Sequence, residues 1–276
     1  MDAPRPVGIF DSGIGGLSVA REIRELLPRE HLLYVADSAF VPYGDRTVDE
    51  VRARTVAGGH YLERRGAKLL VVACNTASGA ALELLRERLS IPVVGLEPAV
   101  KPAVALSKNG RVGVMATAGT LRSERYDRLV RAYGNGAQVI AQPCIGLADA
   151  IEDGHLDDEV LRGLLPGYTE PLKAAGVDTV VLGCTHYPFV REQIAAALGP
   201  GVRIVESGPA IARQTERVLR ERGALAEDGA GSLRIITTGD PAEVASVAAR
   251  IWGAPIPVER LDLDVEPLPT PASTAA

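Results

Sequence analysis

Three cysteines in 276 residues are too few, and odd in number, to build a disulfide framework. Their positions, Cys74, Cys144 and Cys184, make no CxxC pair and no zinc-ligand spacing. No metal site is expected, and free thiols in a reducing compartment, most simply the cytoplasm, are. Basic charge is also in short supply. Net charge is −5 and the pI is near 5.5, with no basic patch, which argues against nucleic acid and anionic membranes as partners. No apolar run approaches the roughly 18 residues that a transmembrane helix needs. The start, Met1-Asp2-Ala3-Pro4-Arg5-Pro6, lacks a basic segment followed by an apolar one, so no signal peptide is expected. Lysine is scarce too. Lys68, Lys101, Lys108 and Lys173 stand outside any phosphate cradle, so a Schiff-base cofactor such as pyridoxal phosphate is not expected.

A hydrophobic fraction of 46% supplies an ordinary core, and the length suggests two domains. Short apolar runs alternate with helical patterns. Val7–Phe10 reads as a strand, Leu17–Leu27 as an amphipathic helix ended by Pro28, and His31–Ala36 as the next strand. Thr47 and Glu50 form a capping-box pattern for a helix to about Arg65. A strand before Cys74, a helix near Ala77–Arg88 and the strand Pro92–Gly95 follow. This regularity predicts an α/β fold with a mainly parallel, doubly wound sheet.

Near residue 98 the pattern restarts. Strands are expected at Arg111–Met115, Gln138–Ala141, before Cys184, at Arg203–Glu206 and at Leu233–Thr238. Helices are expected after Thr120 through Val130, over Leu161–Ala175 with an interruption near Pro166, at Pro209–Glu221 and at Ala242–Ile251. Gly8-Ile-Phe-Asp11-Ser12 resembles Gly113-Val-Met-Ala116-Thr117 at an offset of 105, and Cys74 pairs with Cys184 at 110. Two pseudo-symmetric lobes follow, 1–97 with 210–276 and 98–209, with a site between them. The tail 267–276 is expected to be disordered.

The paired cysteines carry the chemistry. Lys68-Leu-Leu-Val-Val-Ala-Cys74-Asn75-Thr76 and Thr179-Val-Val-Leu-Gly-Cys184-Thr185-His186 each run an apolar strand into Cys, with Thr one or two residues on. The carboxyl ends of such strands open on a ligand crevice. One buried cysteine would be unremarked core, but two at equivalent strand ends suggest acid/base groups on opposite faces of one carbon. A helix N-terminus and nearby donors should favour thiolate. Cys144, after a proline, reads as structural. Asp11-Ser12-Gly-Ile-Gly-Gly16 is neither GxGxxG nor a Walker sequence, and its amides suit a small carboxylate or merely a tight turn. His186 can orient or protonate a group in the cleft, or only bond within a loop. Asp37, near a strand end, and Glu152, in a loop, are equally open to a solvated reading.

Gly8–Gly16, Asp37 with Pro42-Tyr43-Gly44, Ala73–Ala77 and Leu182–Pro188, taken together, resemble the glutamate racemase family. The resemblance runs from about residue 6 to 255 and meets no departure at these motifs. It implies cofactor-independent interconversion of L- and D-glutamate, with Cys184 taking the α-proton of the L form and Cys74 that of the D form. It implies substrate contacts from Asp11, Ser12, Tyr43, Gly44, Asn75, Thr76, Thr185 and His186, and support of the thiols by Asp37, Glu152 and His186. It further implies D-glutamate for peptidoglycan synthesis and a homodimer. On chemical grounds Asn75, Thr76, Thr117, Thr185 and amides after Ser12 are candidate donors to the substrate carboxylates, with Asp11 meeting the ammonium. A Cys–His hydrolase would leave Cys74 idle, a two-lobed binding protein would leave both thiols idle, and aspartate stays open as a substrate.

Overall fold

The computed structural model describes residues 5–134 and 136–266. Its first half alternates β1 (Val7–Asp11), α1 (Leu17–Leu26), β2 (Leu32–Ala36), α2 (Val48–Arg64), β3 (Leu69–Val72), α3 (Asn75–Arg88) and β4 (Val93–Gly95). The first three strands are buried at every position, as unbroken apolar runs require when helices cover both faces of a sheet. The Thr47–Glu50 capping box forms at the start of α2. Helix α3 begins two residues before the pattern suggests, because the Cys74 sulfur is itself the cap and accepts the Ala77 N–H.

The second half continues with α4 (Val100–Leu106), β5 (Arg111–Ala116), α5 (Ala118–Leu121), α6 (Glu124–Tyr133), β6 (Gln138–Pro143), α7 (Leu147–Glu152), α8 (Glu159–Ala174), β7 (Thr179–Leu182), α9 (Arg191–Leu198) and β8 (Arg203–Val205). The chain then adds α10 (Gly208–Glu221), β9 (Leu233–Thr237), α11 (Pro241–Trp252) and β10 (Val258–Arg260). Strand order is β10-β9-β2-β1-β3-β4 in one sheet and β6-β5-β7-β8 in the other, and the pairings are parallel. Each sheet has an apolar layer on both faces. Ile9 and Tyr34 join one layer of the larger sheet, Phe10 and Val35 the other. Leu182 and Val181 divide likewise in the smaller.

The order β2-β1-β3-β4 is repeated as β6-β5-β7-β8. Equivalent backbone bonds tie the strand ends. Asp37 N–H donates to the Asp11 carbonyl at 3.0 Å, and Cys144 N–H to that of Ala116 at 3.0 Å. Ala73 N–H donates to the Phe10 carbonyl at 2.8 Å, and Gly183 N–H to that of Met115 at 2.7 Å. The fold is thus two similar parallel α/β lobes, the first enlarged by β9 and β10.

Several expectations are corrected. Helix α8 is not interrupted near Pro166 but runs through Pro166 and Pro171. Both prolines lie on its exposed face, where water can satisfy the carbonyls they orphan, while Leu161, Leu165, Tyr168 and Leu172 hold the opposite face in the core. The helix expected through Val130 is two, broken where Ser123 caps α6 by accepting the Tyr126 N–H. Glu152 closes α7 rather than lying in a loop. Helices α4 and α9 and strand β10 were not foreseen. The reading of the tail falls outside the described residues.

Candidate active site

In each sheet the chain leaves the first strand in opposite directions, β2 and β3 flanking β1 as β6 and β7 flank β5. The crevice of such a sheet opens at the carboxyl ends of those strands. Asp11 and Ser12 lie at the end of β1 and Cys74 just beyond β3, while Thr117 follows β5 and Cys184 lies just beyond β7. The two crevices face each other. One cavity of about 20 Å3 between them is lined by both thiols and by Ser12, Tyr43, Asn75, Thr185 and His186. Gly44, Thr76 and Thr117 also border it. This space holds about one water, so its walls must move apart to admit a larger molecule. Closure is tight at α1, where a Cβ on Gly15 would lie 2.4 Å from the His186 ring.

Three expected residues line no part of this cavity. Asp11, wholly buried, sits behind Ser12 and Thr185 and accepts from the Ser12 hydroxyl at 3.0 Å, the Gly13 amide at 3.3 Å and the Thr185 hydroxyl at 3.0 Å. In this closed arrangement those groups stand between it and the cavity. The Asn75 Oδ1 atom, buried and without a hydrogen-bond partner, is the cavity's open acceptor instead. Asp37 forms a bidentate pair with Arg54 and accepts from Tyr43 and Thr238, so it braces the Tyr43 wall at one remove. Glu152 lies behind His186. Sequence reasoning missed Thr120, which borders the cavity, although it closes the Ala116–Thr120 segment three residues after Thr117.

The two thiols sit in unlike surroundings. Cys74 S–H donates to the Ser12 hydroxyl at 3.7 Å, which donates to Asp11. Burial, followed by the Asp11 charge, pushes the Cys74 thiol up to about 12, against the opposing Ala77 amide. The helix-start amide that should favour thiolate is present, and burial opposes it. Burial also lifts Asp11 to about 6, against the attraction of His186 and the Thr185 and Ser12 hydroxyls. Around Cys184 the neighbours are cationic in tendency. The His186 Nδ1 atom is 3.6 Å from Cys184 Sγ, and Nε2 is 2.7 Å from Glu152. Burial depresses His186, but Cys184 and Glu152 together outweigh it and hold the imidazole well above its ordinary range. Glu152 also accepts the Ile14 amide at 3.0 Å and the Ser38 hydroxyl at 3.2 Å, so this second-lobe carboxylate clasps the first lobe.

Among the described residues no group of three or more His, Cys, Asp and Glu is disposed to hold a metal. The arrangement can place an acid and a base on two sides of one small polar molecule.

The family model for Asp/Glu/hydantoin racemases matches residues 8–215. A glutamate racemase of Pseudomonas paraeruginosa is 48% identical over 259 residues, which is 94% of this chain and 98% of that one. The crystal structure of a Bacillus anthracis glutamate racemase isoform superposes with a TM-score of 0.87 at 36% identity, covering 95% of this chain and 99% of that one. Escherichia coli glutamate racemase in complex with L-glutamate and the activator UDP-MurNAc-Ala gives 0.83 at 37%, covering 94% and 99%.

Proposed function

The chain belongs to the Asp/Glu/hydantoin racemase family, and on that premise we propose that it interconverts L- and D-glutamate through two thiols, by a route that invokes no cofactor. It is an amino-acid isomerase. The observation that carries the two-thiol reading is that Cys74 and Cys184, from separate sheets, border one cavity.

In the proposed reaction the Cys184 thiolate removes the α-proton of L-glutamate. The electron pair left on carbon spreads into the α-carboxylate, where the hydroxyls of Thr76 and Thr117, which otherwise bond to each other and to Thr120, turn to meet the growing charge. Cys74 then delivers its proton to the opposite face. Positive charge on His186 attracts the negative charge on Cys184, and Glu152 holds that charge in place. Cys74, held as a thiol by burial and Asp11, is ready as the acid. The two thiols finish with exchanged protonation states, so the product form of the enzyme is primed to run backwards from D-glutamate. Asn75 Oδ1 is the proposed seat of the ammonium.

The lobe boundaries inferred are 1–97 with 210–276 against 98–209. Two features support them. Ser207 Oγ–H donates to the Glu97 carbonyl at 2.6 Å, tying the two crossings together, and α10 packs on α1. Supply of D-glutamate for peptidoglycan, a cytoplasmic location and a homodimer belong to the same reading and rest on the family. Circular dichroism of the purified chain with L-glutamate, L-aspartate and no additive tests it. Loss of optical activity with glutamate, with solvent deuterium entering the α-carbon and no bond cleaved, is expected. An inert protein, or equal turnover of aspartate, refutes the reading.

A further inference from the structure

Beside the thiol cavity lies a second cavity of about 320 Å3. Tyr43 and Thr76 are walls common to both. The larger one is lined by arginines of both lobes, Arg46 and Arg52 from the first and Arg122 from the second, against one carboxylate, Glu124. Arg52 has Asp49 at 3.4 Å and Glu124 has Arg128 at 3.7 Å. Arg46 and Arg122 have no carboxylate within ion-pair reach among the described residues. Arg46 Nε donates to the Phe40 carbonyl at 3.2 Å and Arg122 Nη2 to that of Gly44 at 3.3 Å, which leaves most of each guanidinium's five donors uncommitted.

The partition between the cavities is the seam of the lobes, and it is slight. The Thr76 hydroxyl lies 2.9 Å from that of Thr117 and 3.1 Å from that of Thr120. Gly44 abuts Gly119 so closely that a Cβ on Gly119 would lie 3.0 Å from the Gly44 carbonyl oxygen. Hydroxyl contacts and one long hydrogen bond meet at the partition itself, while Arg125 of α6 joins the lobes farther along the seam through ion pairs with Glu83 at 3.4 Å and with Glu97. The clasp of Glu152 on Ile14 and Ser38 is made elsewhere, by charge-assisted bonds. An anion therefore finds attraction at the Arg46–Arg122 wall.

We propose that the Arg46–Arg122 cavity is an entrance station, which captures the dicarboxylate substrate outside the thiols and passes it over Thr76 when the seam parts. This rests on glutamate being the substrate. A chain of net charge −5 otherwise repels an anion, so a local pair of guanidiniums at a large space adjoining the thiol cavity raises the rate of productive capture. Closing of the seam then carries Arg122 back onto Gly44.

The test is racemisation by the full chain carrying both Arg46→Gln and Arg122→Gln. Expected is a fall in kcat/KM of about tenfold, equal in the two directions, with kcat within about twofold of wild type and a flatter dependence of kcat/KM on ionic strength. Arg46→Lys with Arg122→Lys should restore most of the loss. Glu124→Gln, which removes the one carboxylate on the wall, should raise kcat/KM about twofold, and it stands in if the double variant fails to fold. Wild-type kcat/KM with a wild-type salt slope overturns the proposal, as does a loss confined to kcat. Failure of the underlying reading looks different, since the wild-type chain would then not racemise glutamate at all.

Discussion

The strand ends of the two lobes superimpose in topology and differ in charge. Asp11, Asp37 and Cys74 in the first lobe stand where Ala116, Cys144 and Cys184 stand in the second, as the matching backbone bonds show. The first lobe therefore carries a carboxylate beside its thiol, and the second carries none at that place. Its counter-charge comes from another element, Glu152 of α7, through His186. One scaffold used twice thus holds one sulfur that resists losing its proton and one that faces a cation.

The largest effect should come from deleting either sulfur. Cys74→Ala and Cys184→Ala should each lower racemisation by about a thousandfold or more, the range that a general acid or base supplies. Cys→Ser at each position should separate the two roles. The equilibrium constant of a racemase is unity, so kcat/KM must remain equal in the two directions. Asymmetry can appear in kcat, with KM changing in proportion, and in the α-deuterium isotope effect, and it should reverse between the two serine variants. Full activity in either alanine variant would defeat the two-thiol reading.

Breaking the charge on the second side comes next. His186→Gln should lower kcat by about a hundredfold, comparable to loss of one preorganised electrostatic donor. It should also change the pH dependence of stability. His186 has a raised folded pKa, so its contribution is fully present below the unfolded value and is lost as pH rises through the folded one. Wild type should therefore lose stability on the alkaline side of the ordinary imidazole range, and the variant should not. Parallel denaturation curves for the two proteins across that range would show that His186 is held neutral.

The repeat was legible where residue types repeat. Gly8–Ser12 against Gly113–Thr117 and Cys74 against Cys184 announce two lobes and one shared site. The Asp37–Cys144 equivalence was not legible, because the types differ and the spacing lies between the other two. The placement of Asp11 and Glu152 behind other residues was hidden for another reason. A sequence names a carboxylate near a motif but does not say whether its oxygens are already taken by Thr185, Ser12 or Ile14 from across the cleft. The α8 prolines misled because helix breaking depends on which face they occupy.

Asp11 offers a stability measure of the same contrast. Its carboxyl is raised from 3.8 to about 6 by burial, so its ionisation opposes folding as pH rises from the unfolded to the folded value. At neutral pH this is about 3 kcal/mol, to order of magnitude. Asp11→Asn keeps acceptors for Ser12 and Gly13 and removes the charge. The stability of the variant relative to wild type should improve by up to about 3 kcal/mol between roughly pH 4 and pH 7, whatever constant offset the altered hydrogen bonds add. A difference that does not vary with pH would mean that Asp11 ionises as freely in the fold as in the unfolded chain.

The smallest effect is expected where the second lobe departs most from the first. Cys144 occupies the place of Asp37, but no arginine among the described residues pairs with it, and its hydroxyl neighbour is that of Tyr187. Its sulfur donates to the Gln142 carbonyl at 3.5 Å, and its own carbonyl accepts the Tyr187 hydroxyl at 3.4 Å. Burial and then the adjacent Cys184 push its thiol pKa up. It lies in the apolar layer that includes Cys184 and Tyr187 and does not border the thiol cavity. Cys144→Ala removes one buried sulfur and should cost about 1 kcal/mol of stability, at the low end for a core truncation. The backbone contact to Tyr187 survives the change, so kcat and KM should stay within about twofold of wild type. A hundredfold loss of kcat with stability intact would place a third thiol in the chemistry and end the contrast of one acid with one base.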